Sequence, residues 1–356
     1  MSEDSKPQSV SRRFAPAGII FAVLGLLLFV YFVRKAGVEQ IWEYMKRLGA
    51  GFLIILALAG LRFVVRSCAW MLCFEAPHRL PFRDAFRAYL TGDALGNIVP
   101  LGIVVSEPAK AALVRDRVPL VAGLSAIAVE NIFYSLSVAL FVFGGAAALL
   151  LSFPLTKTLR WTSFGILGGV AVVVLLFAVM LRGQWRFLSG ALERIYARGI
   201  GRRLLETRRE RVRSLEDRVY GFYERRRALF LPILLLEGCF HLLGVAEVYV
   251  TLYFISDVPP TLLSAFVLES VNRVITVVFK FVPMRVGVDE AGTGLITNVL
   301  KFGTATGVTL AIIRKARVLV WTGIGIAFLI GRGLSPRAVA TDAQHALANE
   351  KAEVGG

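Results

Sequence analysis

Trp161 to Leu181 is an apolar run without a single ionisable residue, long enough to cross a bilayer as a helix. Comparable runs cover about Ala17 to Val33, Gly51 to Phe74, Leu120 to Phe153, Phe230 to Ile255, Thr261 to Phe281 and Gly303 to Gly331. Stretches of this length bury their backbone polar groups in lipid only as helices. The expectation is an all-α, polytopic integral membrane protein of about seven or eight spans.

Composition agrees. Hydrophobic residues are 56% of the 356, above the roughly 45–50% of soluble domains. The net charge of +16 has the sign that nucleic acid attracts, but its excess sits largely between spans, where positive-inside bias accounts for it, so no nucleic-acid partner is expected. Arg182 to Arg227 holds 14 Arg, no Lys and 6 acids, with Val212, Leu215, Val219 and Phe222 at helical period. That reads as a cytoplasmic amphipathic helix over 182–228, either a solvated face or a dock for anionic lipid headgroups. Residues 1–16 read as a cytoplasmic tail, 17–335 as one transmembrane domain and 336–356 as a disordered tail. The cell membrane, with the N-terminus inside, is the expected location. Cys68, Cys73 and Cys239 fall in apolar runs without a Cys-x-x-Cys pair, so buried, inert thiols are expected. Glu237 and His241 lie at i, i+4 without a third ligand at suitable spacing, and no metal or cofactor is expected.

Two segments break the apolar pattern. Gly96-Asn-Ile-Val-Pro-Leu-Gly102 leads into Ser106-Glu107-Pro108, and Phe281-Val-Pro-Met-Arg-Val-Gly-Val-Asp-Glu-Ala-Gly292 comes much later. Backbone opened by Pro and Gly cannot face lipid, so both segments should be buried in protein or line a wet cavity. Pro100 precedes Glu107 by the same interval as Pro283 precedes Glu290. Paired re-entrant elements in corresponding halves indicate an internal repeat and a transport site.

Fourteen ionisable residues sit within or beside the apolar runs. The acids are Glu107, Glu130, Glu237, Glu247, Glu269, Asp289 and Glu290; the bases are Arg62, Arg66, Arg273, Lys280, Arg314, Lys315 and Arg317. An unpaired charge at mid-bilayer costs roughly 2.5–3.5 kcal/mol. Fourteen would swamp a typical stability of about 5–15 kcal/mol, so they must pair, hydrate or lie near an interface. Glu269, Arg273, Thr276 and Lys280 form one helical stripe. Arg62 and Arg66 repel one another at i, i+4, so an acid or anion should sit between them. Arg314 and Arg317 share a face that Lys315 does not.

The pattern Gly96-Asn97-x-x-Pro100-x-Gly102, then Val129-Glu130-Asn131, then Pro283, Gly287 and Glu290 before a last span with Arg314, resembles the lysylphosphatidylglycerol synthase transmembrane-region family. These are flippase-like membrane proteins, and the resemblance covers roughly residues 50 to 331. It is also similar to the branch associated with hopanoid biosynthesis. The resemblance implies a polytopic domain that moves a polar-headed lipid between leaflets. An Arg that members often carry after the span Glu is here Asn131, and Ile103-Val104-Val105 replaces residues that are small or charged elsewhere. No soluble aminoacyl-transfer domain follows residue 331, so synthase activity is not expected.

The leading expectation is therefore a lipid translocase, not an enzyme, with membrane lipids as its partners. Its substrate site would draw on Asn97, Pro100, Glu107, Glu130, Asn131, Arg273, Pro283, Glu290 and Arg314, with the cations meeting phosphate. The rivals are an integral-membrane enzyme with Glu107 or Glu290 as general base, and a non-catalytic partner recruiting another protein through its Arg-rich helix.

Overall fold

The computed structural model describes residues 26–98, 102–183, 202–279 and 282–331. The N-terminal tail, the start of the first apolar run, Pro100, Lys280, residues 184–201 and the C-terminal tail lie outside these. Among the described residues the regular structure is helical throughout: α1 (26–36), α2 (Val38–Leu48), α3 (Gly51–Leu72), α4 (Phe82–Ile98), α5 (Gly102–Ala112), α6 (Leu120–Ser152), α7 (Lys157–Gly183), α8 (Arg202–Ile255), α9 (Leu262–Val278), α10 (Val288–Val299) and α11 (Thr304–Gly331).

Among the described residues four helices are long and apolar enough to cross a membrane by length and composition, namely 51–72, 120–152, 157–176 and 225–255. At about 1.5 Å per residue, α6 measures roughly 50 Å and α11 roughly 42 Å, both longer than a hydrocarbon core of about 30 Å. α11 carries Arg314, Lys315 and Arg317 at its middle. α8 leaves helical geometry at Arg226, which separates the Arg-rich segment from the apolar span. The side chains of residues 202–220 lie outside the described residues, and with them any docking face.

The order of helix lengths repeats. A span (α3) precedes a short helix of 17 residues, one of 11 and a long one of 33. The apolar part of α8 precedes helices of 17, 12 and 28. The halves exchange partners: α3 packs along α8, α4 packs on α11, and α9 packs on α6. The first short helix of each half therefore rests on the long helix of the opposite half, while α5 and α10 pack on the long helix of their own.

Close approach is built from glycine where helices cross. A Cβ on Gly325 of α11 would lie 2.6 Å from Ala94 Cβ and 2.8 Å from the Leu90 carbonyl, so this α4–α11 crossing requires glycine. Thr91 Oγ1 donates to the Gly325 carbonyl (3.4 Å) at the same crossing. α9 starts with a capping box, Thr261 Oγ1 accepting the Ser264 N–H at 3.1 Å and Ser264 Oγ the Thr261 N–H at 3.0 Å, which satisfies two donors that a helix start leaves free.

Between α9 and α10 the chain turns through a short 3-10 segment, Pro283–Arg285. Met284 and Arg285 have φ of 48° and 49°, a left-handed conformation that costs a non-glycine residue about 1–2 kcal/mol. Gly287 (φ 82°) starts α10 without that strain.

Two apolar cores form. One joins the C-terminal end of α3 with α4, α5 and the first half of α6, plus Ile233 and Leu329. The other joins α2, Ile55, Leu149, the end of α8, α9, α10 and the start of α11. On α3 and α11 the ionisable residues fall between the segments that feed the two cores, as do Glu237 and His241 on α8, while Glu247 lies among the α8 residues of the second core. α7 stands apart, packed on α6 with Trp161, Leu175 and Val173 exposed, as expected of a lipid-facing helix without chemistry.

Candidate functional site

The charged residues between the cores sort into linked groups. The first centres on Glu269 of α9. Its carboxylate receives Arg273 from its own helix in a short contact, Arg314 Nη2 of α11 at 3.3 Å and Arg62 Nη2 of α3 at 3.7 Å. Arg62 Nη1 also reaches Glu247 Oε2 of α8 (3.1 Å), which Arg317 Nη1 approaches from α11 at 2.6 Å. Four guanidinium groups thus share two carboxylates, and each member except Arg317 is less than a tenth exposed. Room for Glu269 comes from Gly244, where a Cβ would stand 2.5 Å from Glu269 Oε1.

The second group centres on Arg66, one turn beyond Arg62. Arg66 Nη2 contacts Glu130 Oε1 of α6 at 2.8 Å and Nη1 contacts Glu237 Oε2 of α8 at 3.1 Å. Its Nε donates to Tyr89 Oη at 2.7 Å, and its guanidinium lies 3.9 Å from the Tyr134 ring centroid. Glu130 and Glu237 have no exposed surface. One cation here serves two acids, the reverse of the first group. The rings join the two: Arg62, Arg273 and Arg66 stand 4.3, 5.2 and 5.6 Å from the Phe240 centroid.

Two smaller groups hold the broken elements. On α5, Lys110 Nζ pairs with Glu107 Oε1 (2.9 Å), Asn131 Nδ2 of α6 donates to Glu107 Oε2 (3.0 Å), and Lys110 sits 3.8 Å over the Tyr89 ring. A Cβ on Gly92 would lie 2.4 Å from Lys110 Cγ, so glycine there admits the lysine stem. Asp93 is half-buried on α4 and lies in the field of Lys110. On α10, Glu290 Oε2 accepts the Gly287 N–H at 2.7 Å, while Lys315 Nζ reaches Glu290 Oε1 (2.7 Å) and Asp289 Oδ2 (3.4 Å). Arg285 Nε completes this group on Asp289 Oδ1 at 3.1 Å. A carboxylate at a helix N-terminus also meets the positive end of the helix dipole.

Of the residues expected at the site, Glu130, Arg273 and Arg314 lie in the two central groups, and Glu107, Asn131 and Glu290 in the flanking ones. Asn97 is exposed and donates to Asp93 Oδ2 (3.4 Å), at the edge of the α5 group, and to Thr322 Oγ1 (3.2 Å) of α11. Pro283 opens the turn before α10, and Pro100 lies outside the described residues. The acid anticipated between Arg62 and Arg66 is present in divided form: Glu247 and Glu269 serve one, Glu130 and Glu237 the other. Arg314 and Arg317 share the first group while Lys315 turns to α10, as their helical spacing requires. His241 meets Ser137 Oγ through Nε2 (3.1 Å) and stacks on Phe141, and among the described residues no cluster of metal-ligating side chains forms. The thiols differ from expectation at two places, since Cys68 is only half-buried and Cys239 of α8 is exposed.

Lys110, Tyr89, Phe240 and Gly244 were not legible as site residues. Lys110 follows Glu107 at i+3 and could have been found by that spacing; the other three carry no signal outside the packed structure.

The profile of the family described as lysylphosphatidylglycerol synthase TM region matches residues 17–325 of the chain. No curated protein and no solved structure matches it. The match spans both halves of the repeat and every charged group above. The chain belongs to the lysylphosphatidylglycerol synthase TM region family and is a multi-pass membrane protein.

Proposed function

We propose that this protein moves a polar- or charged-headgroup lipid between leaflets without changing it chemically. The observation that carries the reading is the layer of buried charge between two apolar cores, drawn from both halves of the repeat. Apolar residues would hold these helices together as well or better than ion pairs, so packing alone is a poor reason for so many. A headgroup crossing the hydrocarbon loses its water, and fixed charges along the way replace part of that solvation. Broken helices near the membrane interior are where transporters place such sites.

In this reading the tails stay in lipid while the headgroup passes Glu130, Arg273 and Arg314. Glu107 and Glu290 tune the charge of the path. Both are engaged, Glu107 by Lys110 and Asn131 and Glu290 by Lys315 and the start of α10, which suits them less to a general base. The protein sits in the cell membrane with its N-terminus and Arg-rich segment on the cytoplasmic side, where that segment meets anionic headgroups.

The test is reconstitution into vesicles with a panel of labelled lipids, including phosphatidylglycerol, phosphatidylethanolamine, phosphatidylcholine and a hopanoid. At least one headgroup should exchange between leaflets well above the protein-free rate and be recovered unaltered. Exchange at the protein-free rate for every lipid would refute translocation, and a chemically altered lipid would favour an enzyme.

A further inference from the structure

Two kinds of unsatisfied atom occur in the two central groups. Arg62 Nε, Arg314 Nη1 and Arg317 Nε are buried donors with no acceptor among the described residues. Glu130 Oε2 and Glu237 Oε1 are buried acceptors with no donor among them, and the two carboxyl groups converge on the one guanidinium of Arg66 at 2.8 and 3.1 Å. Buried polar atoms are nearly always satisfied, so each set points to something that completes it. The donors call for an anion. The paired acceptors call for a single proton, which would sit between them as an O–H···O bond and satisfy both.

The charge count ties the two together. The groups described above carry eight bases and eight acids in total, so the empty interior is neutral. Bringing an anion to the arginines leaves it negative, and low-dielectric surroundings make uncompensated charge expensive. A guanidinium cannot gain charge. A carboxylate can lose its charge, and the pair beside Arg66 is the one with two acids on one cation.

We infer that the arginine group binds a phosphate-type oxyanion, and that each anion bound is matched by one proton taken up on the Glu130–Glu237 pair. In the step itself a proton from solvent bonds to the unpartnered oxygen of one glutamate and is shared with the other. Arg66 stays on the acid that remains ionised, and no bond of the ligand changes. Other ionisable groups face the pair from several elements: Arg66 of α3, Cys73 just after that helix, Tyr89 of α4, and Lys110 and Glu107 of α5, while Tyr134 of α6 faces Arg66. His241 lies one turn beyond Glu237 on α8. Among these Glu130 and Glu237 share one cation, and although Tyr89 Oη donates to Glu130 Oε1 at 3.5 Å, each acid keeps one oxygen without a donor. The inference rests on the translocation reading for the view that the anion is a lipid headgroup, and it adds that the headgroup travels with a proton.

Isothermal titration calorimetry tests it on the purified full chain in a neutral detergent, in buffers of different ionisation heat. Phosphatidylglycerol is the probe because its phosphodiester does not itself titrate between pH 5 and 9. Sulfate serves as a soluble oxyanion and phosphatidylcholine as a neutral control. The expected result is about one proton taken up per phosphatidylglycerol bound. Because the bound state holds the extra proton, affinity falls as pH rises, by up to about tenfold per unit. Glu237→Gln should still bind, with no uptake and a flat pH profile, and Glu130→Gln is the second variant should the first fail to fold. Uptake with phosphatidylglycerol alone assigns the site to a lipid headgroup, and uptake with sulfate as well assigns it to oxyanions generally; both uphold the linkage. Wild-type binding without proton uptake, uptake unchanged in both variants, or no binding of either anion would overturn it. Absence of lipid translocation with proton uptake intact would sink the translocase reading and leave this one standing.

Discussion

The group around Glu269 and the group around Arg66 are opposites built from the same residue types. The first has four guanidinium groups on two carboxylates, and the second has one guanidinium on two. They differ in what they can do about the imbalance. A guanidinium keeps its charge at any physiological pH, so the cationic group can be balanced only by charge from elsewhere. Carboxylates can take protons from solvent. The cationic pole is therefore suited to a charged visitor, and the acidic pole can adjust to it.

That contrast is broken most severely at Glu269. Glu269→Gln leaves Arg62, Arg273 and Arg314 without the carboxylate they share, and stranding buried charge typically costs about 3–5 kcal/mol. The thermal midpoint in detergent should fall sharply and by the same amount from pH 5 to pH 8, since no arginine there can shed its charge.

Arg66→Gln probes the other pole and should be milder. It leaves Glu130 and Glu237 without a cation, but protons can neutralise them. The loss should be largest at high pH and shrink as pH falls, the sign expected when the folded state binds more protons than the unfolded one. A deficit equal at pH 5 and pH 8 would erase the distinction between the poles.

A smaller effect comes from crowding alone. Gly244→Ala pushes a methyl into Glu269, and overpacking of this kind costs about 1–3 kcal/mol. Gly165→Ala on α7 meets nothing within 4 Å and should leave the melting curve unmoved or slightly raised, since alanine is the better helix former.

The same contrast explains what could be read in advance. The apolar runs gave the helix ends of α3, α6 and α11 to within a few residues, because helix-stopping residues bound the longer two, Pro119 and Pro154 around α6 and Gly303 before α11. The broken segments were legible because Pro and Gly in an apolar setting have few explanations. Helical spacing placed Arg314 and Arg317 on one face and Lys315 on another. Which acid met which base was not legible, because α3, α8, α9 and α11 are brought together by the exchange between halves, and spacing along one helix says nothing about that. The contacts of Asn97 were not legible for the same reason: it ends α4 in the broken segment, and the turn of that helix brings it to Asp93 and Thr322.

The most direct test compares lipid exchange between leaflets in vesicles carrying wild-type protein or Arg314→Gln, at matched incorporation and with melting curves recorded for both. The account predicts that the variant inserts and melts as a folded protein while exchange drops at least tenfold, toward the protein-free rate. Equal exchange by the two proteins would contradict the claim that the buried charge layer is the path of the headgroup.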